Sequence, residues 1–189
     1  MTSKREVFIS VDVETSGPIP GEYSLLMIGA CLVDDPGVNF TSKLKPVGDK
    51  ADPKALAVAG LSLTELAVTG EEPAAAMTRF RDWTDTVCGA DGLPVFVGFN
   101  AAFDWSFVNY YFHRFVRMNP FGFAALDIKS YYGSGGIRVA RHQVKPHGKG
   151  SQTDEPGRSR RSARCNLPSR TVSFVAQDCK VSRSSGTRR

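Results

Sequence analysis

A hydrophobic segment with two carboxylates near its end constrains the fold of this chain more than any other feature. Residues 7–17 read Val-Phe-Ile-Ser-Val-Asp-Val-Glu-Thr-Ser-Gly, a pattern typical of a buried strand. Side chains two positions apart leave a strand on the same face, so Asp12 and Glu14 are expected to lie within a few ångströms of each other. Like charges that close repel unless a cation lies between them. The segment therefore predicts a strand that ends in a site for a divalent metal such as Mg²⁺, which prefers carboxylate and phosphate oxygens.

A second acidic position lies in residues 98–107, which read Gly-Phe-Asn-Ala-Ala-Phe-Asp-Trp-Ser-Phe. Asn100 is predicted to cap a helix over roughly 101–117, with Asp104 in its first turn. A carboxylate at that place also stabilises the helix dipole by ~0.3–1 kcal/mol without any metal. Two alternating carboxylates are likewise common on the polar face of a half-buried strand. Each motif alone has a structural explanation, and only their combination indicates a catalytic site.

The rest of the first 132 residues predicts an α/β domain with a mixed sheet. A meander of strands is followed by helices that alternate with short strands, which is the order expected of such a domain. Asp127 stands at a strand-to-helix junction, where capping the helix is its expected role. Strands are predicted at 7–13, 24–34, 38–45, 94–98 and 124–128, and helices at 62–68, 72–88, 101–117 and from 129 onward.

Composition limits the compartment and the kind of site. The four cysteines are Cys31, Cys88, Cys165 and Cys179, too scattered for a zinc motif or a disulfide framework, which favours a reducing environment. The residues before Val7 are few and polar, and no run approaches the ~18 apolar residues of a membrane span. We therefore expect a cytoplasmic protein with no membrane segment.

The positive net charge belongs to the last part of the chain. Residues 133–189 hold 13 Lys/Arg against 3 Asp/Glu, whereas residues 1–132 hold 11 against 16. The basic segment is rich in Arg, Ser, Gly and Pro and has no apolar period, so we expect an irregular or disordered tail after a domain spanning 6–132. A basic tail can bind phosphate backbones. The abrupt change of composition favours another origin, an out-of-frame translation of an ordinary C-terminus.

Taken together, the two acidic motifs resemble the first and second exonuclease motifs of the DEDD (DnaQ-like) 3′–5′ exonuclease superfamily, which includes RNase T, oligoribonuclease and polymerase proofreading subunits. The resemblance covers residues 6–132. It implies a ribonuclease H-like fold, with a mixed five-stranded sheet flanked by helices, and two-metal hydrolysis with Mg²⁺ or Mn²⁺. Asp12, Glu14 and Asp104 match three of the four metal-binding carboxylates. Thr15 and Met27 match positions that approach the terminal nucleotide.

The third motif of that superfamily has no clear counterpart. Histidine-type members carry H-x-x-x-x-D, but none of His113, His142 and His147 has an aspartate five residues later. Tyrosine-type members carry Y-x-x-x-D, and the nearest segment is Phe174–Asp178. Asp178 is therefore the candidate fourth ligand. A phenylalanine cannot orient a water by hydrogen bonding, so the general base stays unassigned.

Two functional classes follow from these motifs. The resemblance implies a 3′–5′ exonuclease that releases nucleoside monophosphates from the 3′ end of single-stranded DNA or RNA, with its rate lowered if the base is missing. The other class is a catalytically inactive nucleic-acid-binding protein built on the same scaffold. The choice between DNA and RNA, and between a monomer, a homodimer and association with a polymerase, stays open at this point.

Overall fold

The computed structural model describes residues 4–134, with side chains up to Tyr131, and contains the predicted mixed sheet. The strands are β1 Arg5–Thr15, β2 Leu25–Leu32, β3 Asn39–Lys43, β4 Gly92–Gly98 and β5 Ala125–Asp127. They lie in the order β3-β2-β1-β4-β5, and β1 is antiparallel to β2 but parallel to β4. The helices are α1 Pro53–Ala59, α2 Leu63–Thr69, α3 Pro73–Cys88, α4 Ala102–Tyr111 and α5 Ile128–Ser134, and a π-helical turn spans Phe112–Val116.

Strand β1 occupies the centre of the sheet, and its alternating side chains decide which face is packed. Val7, Ile9, Val11 and Val13 are all buried and belong to the main core. That core includes Phe80 of α3, whose ring stacks on Phe40 at 4.9 Å and on Phe112 at 5.5 Å between centroids. Because the valine side of β1 is fixed against the helices, the side that carries Asp12 and Glu14 is fixed as well.

Helix α1 was not predicted from the sequence. It begins where the Asp52 side chain accepts the N–H of Lys54 at 2.8 Å, with proline in the first turn, and it ends at Gly60 in the left-handed conformation. None of its seven residues is buried. A helix without a buried face leaves no apolar period in the sequence, so only its end signals, Asp-Pro and Gly, were there to be read.

Two expectations about α4 need correction. Regular helix ends at Tyr111 rather than at 117, and the π-helical turn carries the chain on to Arg117, which has a φ of 69°. Asn100 does not cap the helix. It lies in the left-handed conformation with a φ of 64°, and Ala101 is the cap residue, with no side-chain hydrogen bond of its own.

The C-terminal expectations fall mostly outside the described residues. Helix α5 continues through the boundary at 132 to Ser134. His142, His147, Asp178 and the remainder of the predicted irregular tail lie beyond the part of the chain that the structure describes. Within that part, no helix is both long and apolar enough to cross a membrane.

Candidate active site

Asp12 and Glu14 lie near the end of β1, as the alternation predicts. Their cross-strand partners on β2 are Gly29 and Met27, respectively. The register of this pair then shifts between Glu14 and Thr15, and irregularities of this kind often redirect side chains beside active sites. Asp12 and Glu14 are both half-buried, so their carboxylates lie at the edge of the packed sheet and not in open solvent.

Asp104 reaches the same place from α4. Pairing of β1 with β4 ends at Ser10 and Val97. Further along β1, the backbone N–H of Val13 donates to Oδ1 of Asp104 at 3.1 Å, so a carboxylate oxygen takes the place of a strand partner. Val13 lies between Asp12 and Glu14 in the chain, and the Asp104 side chain is only 6% exposed. The first turn of α4 therefore delivers a buried carboxylate to the segment that bears the other two.

The three carboxyl groups influence one another electrostatically. Burial raises the pKa of Glu14 from 4.5 to about 7, and the charge of Asp12 adds to the rise. Burial also raises the pKa of Asp104 from 3.8 to about 7, and the charges of Asp12 and Glu14 add to it, while the hydrogen bond from Val13 opposes it. Buried carboxyl groups that also repel one another favour the presence of a cation.

The donor set fits a hard divalent cation, although the ligands do not form a ready-made cage. Within residues 4–134, no three His, Cys, Asp or Glu side chains are grouped closely enough to hold a metal ion as they stand. Carboxylate oxygens are nevertheless the ligands that Mg²⁺ and Mn²⁺ favour, and a bound cation would relieve the repulsion that, together with burial, raises the pKa values of Glu14 and Asp104.

An open pocket of about 360 Å³ adjoins the Glu14 carboxylate. Thr15, a predicted substrate contact, is one of its lining residues, and its hydroxyl donates to the carbonyl of Gly17 at 2.8 Å. Met27, the other predicted contact, is buried opposite Glu14 and is not among the lining residues. The wall includes Glu14, Lys54, Val58 and Phe103.

Sequence reasoning missed three of these wall residues. Phe103 directly precedes Asp104, so its place in the second motif was the available signal. Val58 is 85% exposed on α1, and Lys54 lies in the first turn of the same helix. Neither stood out, because the helix that presents them was not predicted.

His113 is not placed as a general base. It is exposed on the π-helical turn, nine residues after Asp104, which corresponds to roughly 13 Å along a helix at 1.5 Å per residue. Asp127, in contrast, has the expected capping role: it accepts the N–H of Lys129 at 3.3 Å at the start of α5.

A mixed sheet in this order, with carboxylates from β1 and α4 brought together, is the arrangement that the resemblance to ribonuclease H-like nucleases implies. No family model matches the chain. It is 55% identical over 132 residues to the 3′–5′ DNA exonuclease Cap18 of Escherichia coli, a match that covers 70% of this chain and 71% of that protein. The chain therefore belongs to the DnaQ-like 3′–5′ exonuclease family, and the resemblance drawn from its two motifs is confirmed.

Solved structures confirm the fold. An Escherichia coli Exonuclease I complex with single-stranded DNA and zinc matches with a TM-score of 0.50 at 20% identity, over 64% of this chain and 26% of that one. Exonuclease I from Methylocaldum szegediense matches with a TM-score of 0.53 at 20% identity, over 66% and 28%. The chain thus spans between a quarter and a third of the length of these Exonuclease I proteins.

Proposed function

We propose that this protein removes nucleoside monophosphates from the 3′ end of single-stranded DNA, with Mg²⁺ or Mn²⁺ held by Asp12, Glu14 and Asp104. The observation that carries the proposal is the hydrogen bond from Val13 to Asp104, which brings the α4 carboxylate to the strand segment between the other two. DNA is preferred to RNA because the relative that shares 55% identity is named a DNA exonuclease.

The proposed roles follow from the site. Asp12, Glu14 and Asp104 would hold the ions; when bound, two divalent ions supply activation of the attacking water and stabilisation of the leaving oxygen. In the adjoining pocket, Phe103 and Val58 offer apolar surface for the terminal nucleotide. The Lys54 ammonium, on the same wall, places a positive charge near the phosphate.

The two predicted substrate contacts, Thr15 and Met27, have different proposed roles. Thr15 lines the pocket and is retained as a contact to the terminal nucleotide. Met27 is the cross-strand partner of Glu14. Its proposed role is to support the position of that carboxylate and of the adjacent nucleotide. Both residues are buried, so the packing around them holds their side chains in place.

The fourth ligand and the general base remain proposals about residues 133–189. Asp178 is the candidate ligand on its sequence pattern alone. We further propose that this segment is an out-of-frame version of the family's C-terminus, which agrees with a relative that matches 70% of the chain. Reading the coding DNA in its other two frames after residue 130 tests this: an encoded H-x-x-x-x-D is expected. Restoring that terminus should raise the cleavage rate by at least ~10²-fold.

We propose that the protein is cytoplasmic. Cys88 is a buried free thiol, which agrees with the reducing cytoplasm inferred from cysteine usage. Size-exclusion chromatography of the purified chain tests for a homodimer, and the same measurement with an added polymerase tests for a complex.

A labelled oligonucleotide tests the proposed activity. With Mn²⁺ present, a single strand labelled at its 5′ end should shorten from the 3′ end, slowly if the general base is absent, and an RNA of the same sequence should shorten more slowly than the DNA. Asp12→Ala should abolish cleavage and weaken Mn²⁺ binding. Asp82→Ala is the matched control, because Asp82 is an exposed carboxylate of α3 paired with Arg81.

The inactive scaffold is the competing function, and the unmatched third motif favours it. It predicts that the wild type and Asp12→Ala bind single strands equally and that neither cleaves, even after the C-terminus is restored. That result would replace the exonuclease proposal with the binding one.

A further inference from the structure

The carboxylate of Asp127 connects three elements. Its Oδ1 atom accepts the backbone N–H of Asn100 at 2.8 Å and that of Ala101 at 3.1 Å, both at the start of α4. The same atom accepts the N–H of Lys129, and Oδ2 accepts the hydroxyl of Ser130 at 2.6 Å, both in the first turn of α5. One side chain at the end of β5 therefore binds the starts of two helices.

Helix α4 depends on this carboxylate because its own sequence provides no cap. Its cap residue is Ala101, which has no side-chain acceptor. The preceding turn from β4 is tight: a Cβ placed on Gly98 would lie 3.1 Å from the Cα of Ala101, and Asn100 has a φ of 64°. The first N–H groups of a helix need acceptors, and the parallel register that sets Gly98 beside Asp127 brings one from the neighbouring strand.

Asp104 lies in the turn that Asp127 holds. The N–H of Trp105 donates to the carbonyl of Ala101 at 2.8 Å, closing the first turn of α4 around Asp104. That turn is therefore fixed at two points, by Asp127 at its start and by the N–H of Val13 on the Asp104 carboxylate. Without the hydrogen bonds to Asp127, only the hydrogen bond from Val13 to Asp104 would hold the first turn of α4.

We propose that Asp127 is a positioning residue, which keeps the first turn of α4 in register with β1 so that the Asp104 carboxylate stays beside Asp12 and Glu14. The proposal rests on the metal-binding role proposed above. Groups that orient metal ligands typically contribute 10- to 100-fold in metal affinity or activity. Since Asp127 acts through a helical turn and does not touch a ligand, we expect about the low end of that range.

The test compares Asp127→Ala with Asp127→Asn and with Ser62→Ala in the full chain. Asparagine keeps an acceptor for Asn100 and Ala101, whereas alanine removes it. Ser62 caps α2 through the N–H of Glu65, so its substitution removes a helix cap without touching α4. Mn²⁺ affinity is measured from the electron paramagnetic resonance signal of free Mn²⁺, and amide exchange at Val13 reports directly on its hydrogen bond to Asp104.

Asp127→Ala should weaken Mn²⁺ binding about tenfold and speed amide exchange at Val13, while Asp127→Asn and Ser62→Ala should stay near the wild type in both measurements. Unchanged exchange at Val13 in Asp127→Ala would overturn the proposal, and so would an equal loss of Mn²⁺ affinity in Ser62→Ala. If the wild type binds no Mn²⁺, the metal-binding function fails separately, and exchange at Val13 still decides whether Asp127 positions Asp104.

Discussion

The backbone N–H of Val13 donates a 3.1 Å hydrogen bond to Oδ1 of Asp104 across 91 positions of sequence. This contact lets one carboxylate serve a structural and a chemical purpose together. It satisfies a buried N–H that no strand pairs, and it places negative charge beside Asp12 and Glu14. Substitutions at Asp104 can separate these two purposes, because acceptor and charge are removed by different replacements.

Asp104→Asn should retain the fold and lose metal binding, whereas Asp104→Ala should lose both binding and stability. The asparagine carbonyl can still accept the Val13 N–H, but alanine leaves that N–H buried and unsatisfied, which costs about 1–3 kcal/mol. Urea unfolding in EDTA measures the stability difference, and Mn²⁺ titration measures the loss of binding. Equal unfolding free energies for the two variants would contradict the structural role of the hydrogen bond.

Stability should fall as pH rises from about 4 to about 7. In the folded protein, the pKa values of Glu14 and Asp104 are about 7, above their ordinary values of 4.5 and 3.8. The unfolded chain therefore releases these protons at lower pH, and the folded state loses stability across that interval. The pKa of Asp127 is lowered. The stability that its carboxylate contributes is therefore lost only when the pH falls below the ordinary pKa of an aspartate, so it does not offset this trend.

Unfolding free energies measured between pH 4 and pH 8 in EDTA would display this fall, and the double variant Glu14→Gln, Asp104→Asn should flatten it. Adding Mg²⁺ at pH 8 should restore stability to the wild type, because the deprotonated carboxylates bind the ion only in the folded state. A wild-type profile that rises over this interval would contradict the raised pKa values of Glu14 and Asp104.

Tyr111→Phe should destabilise the protein by about 1–3 kcal/mol, because it leaves a buried backbone donor unpaired. The Tyr111 hydroxyl accepts the N–H of Leu25 at 2.8 Å and is completely buried. Tyr110→Phe is the matched control, since the Tyr110 hydroxyl accepts from Arg114 at a more exposed place. Thermal unfolding of both variants checks the expected order, and an equal effect at the two positions would count against it.

Val58→Ser should raise KM for a single strand about three- to fivefold, with kcat and Tm unchanged, because it removes apolar surface worth about 1 kcal/mol from the pocket wall. Val58 is 85% exposed, so its side chain contributes little to folding. Val68→Ser is the matched control: Val68 is 81% exposed on α2 and does not line the pocket. Equal KM values for these two variants would remove Val58 from the substrate surface.

The sequence predicted those parts of the site that depend on local periodicity. The alternation in β1 was enough to place Asp12 and Glu14 on one face, and the first-turn position of Asp104 was read correctly. The hydrogen bond from Val13 to Asp104 could not be predicted, because it links residues far apart in the chain. The sequence predicts Asn100 as the cap of α4, but Asp127 of the neighbouring strand provides the acceptor. A sequence pattern cannot reveal an acceptor that strand register brings into place.

Helix α1 and strand β1 differ in how deeply they are packed. None of the residues of α1 is fully buried, and the N–H of its cap residue, Asp52, donates to the carbonyl of Ser16 at 2.7 Å, just beyond β1. Segments with few buried contacts open locally at low free energy, while central strands open only with the whole molecule. We therefore expect faster amide exchange in the wall that carries Lys54 and Val58 than in the strand that carries Asp12 and Glu14.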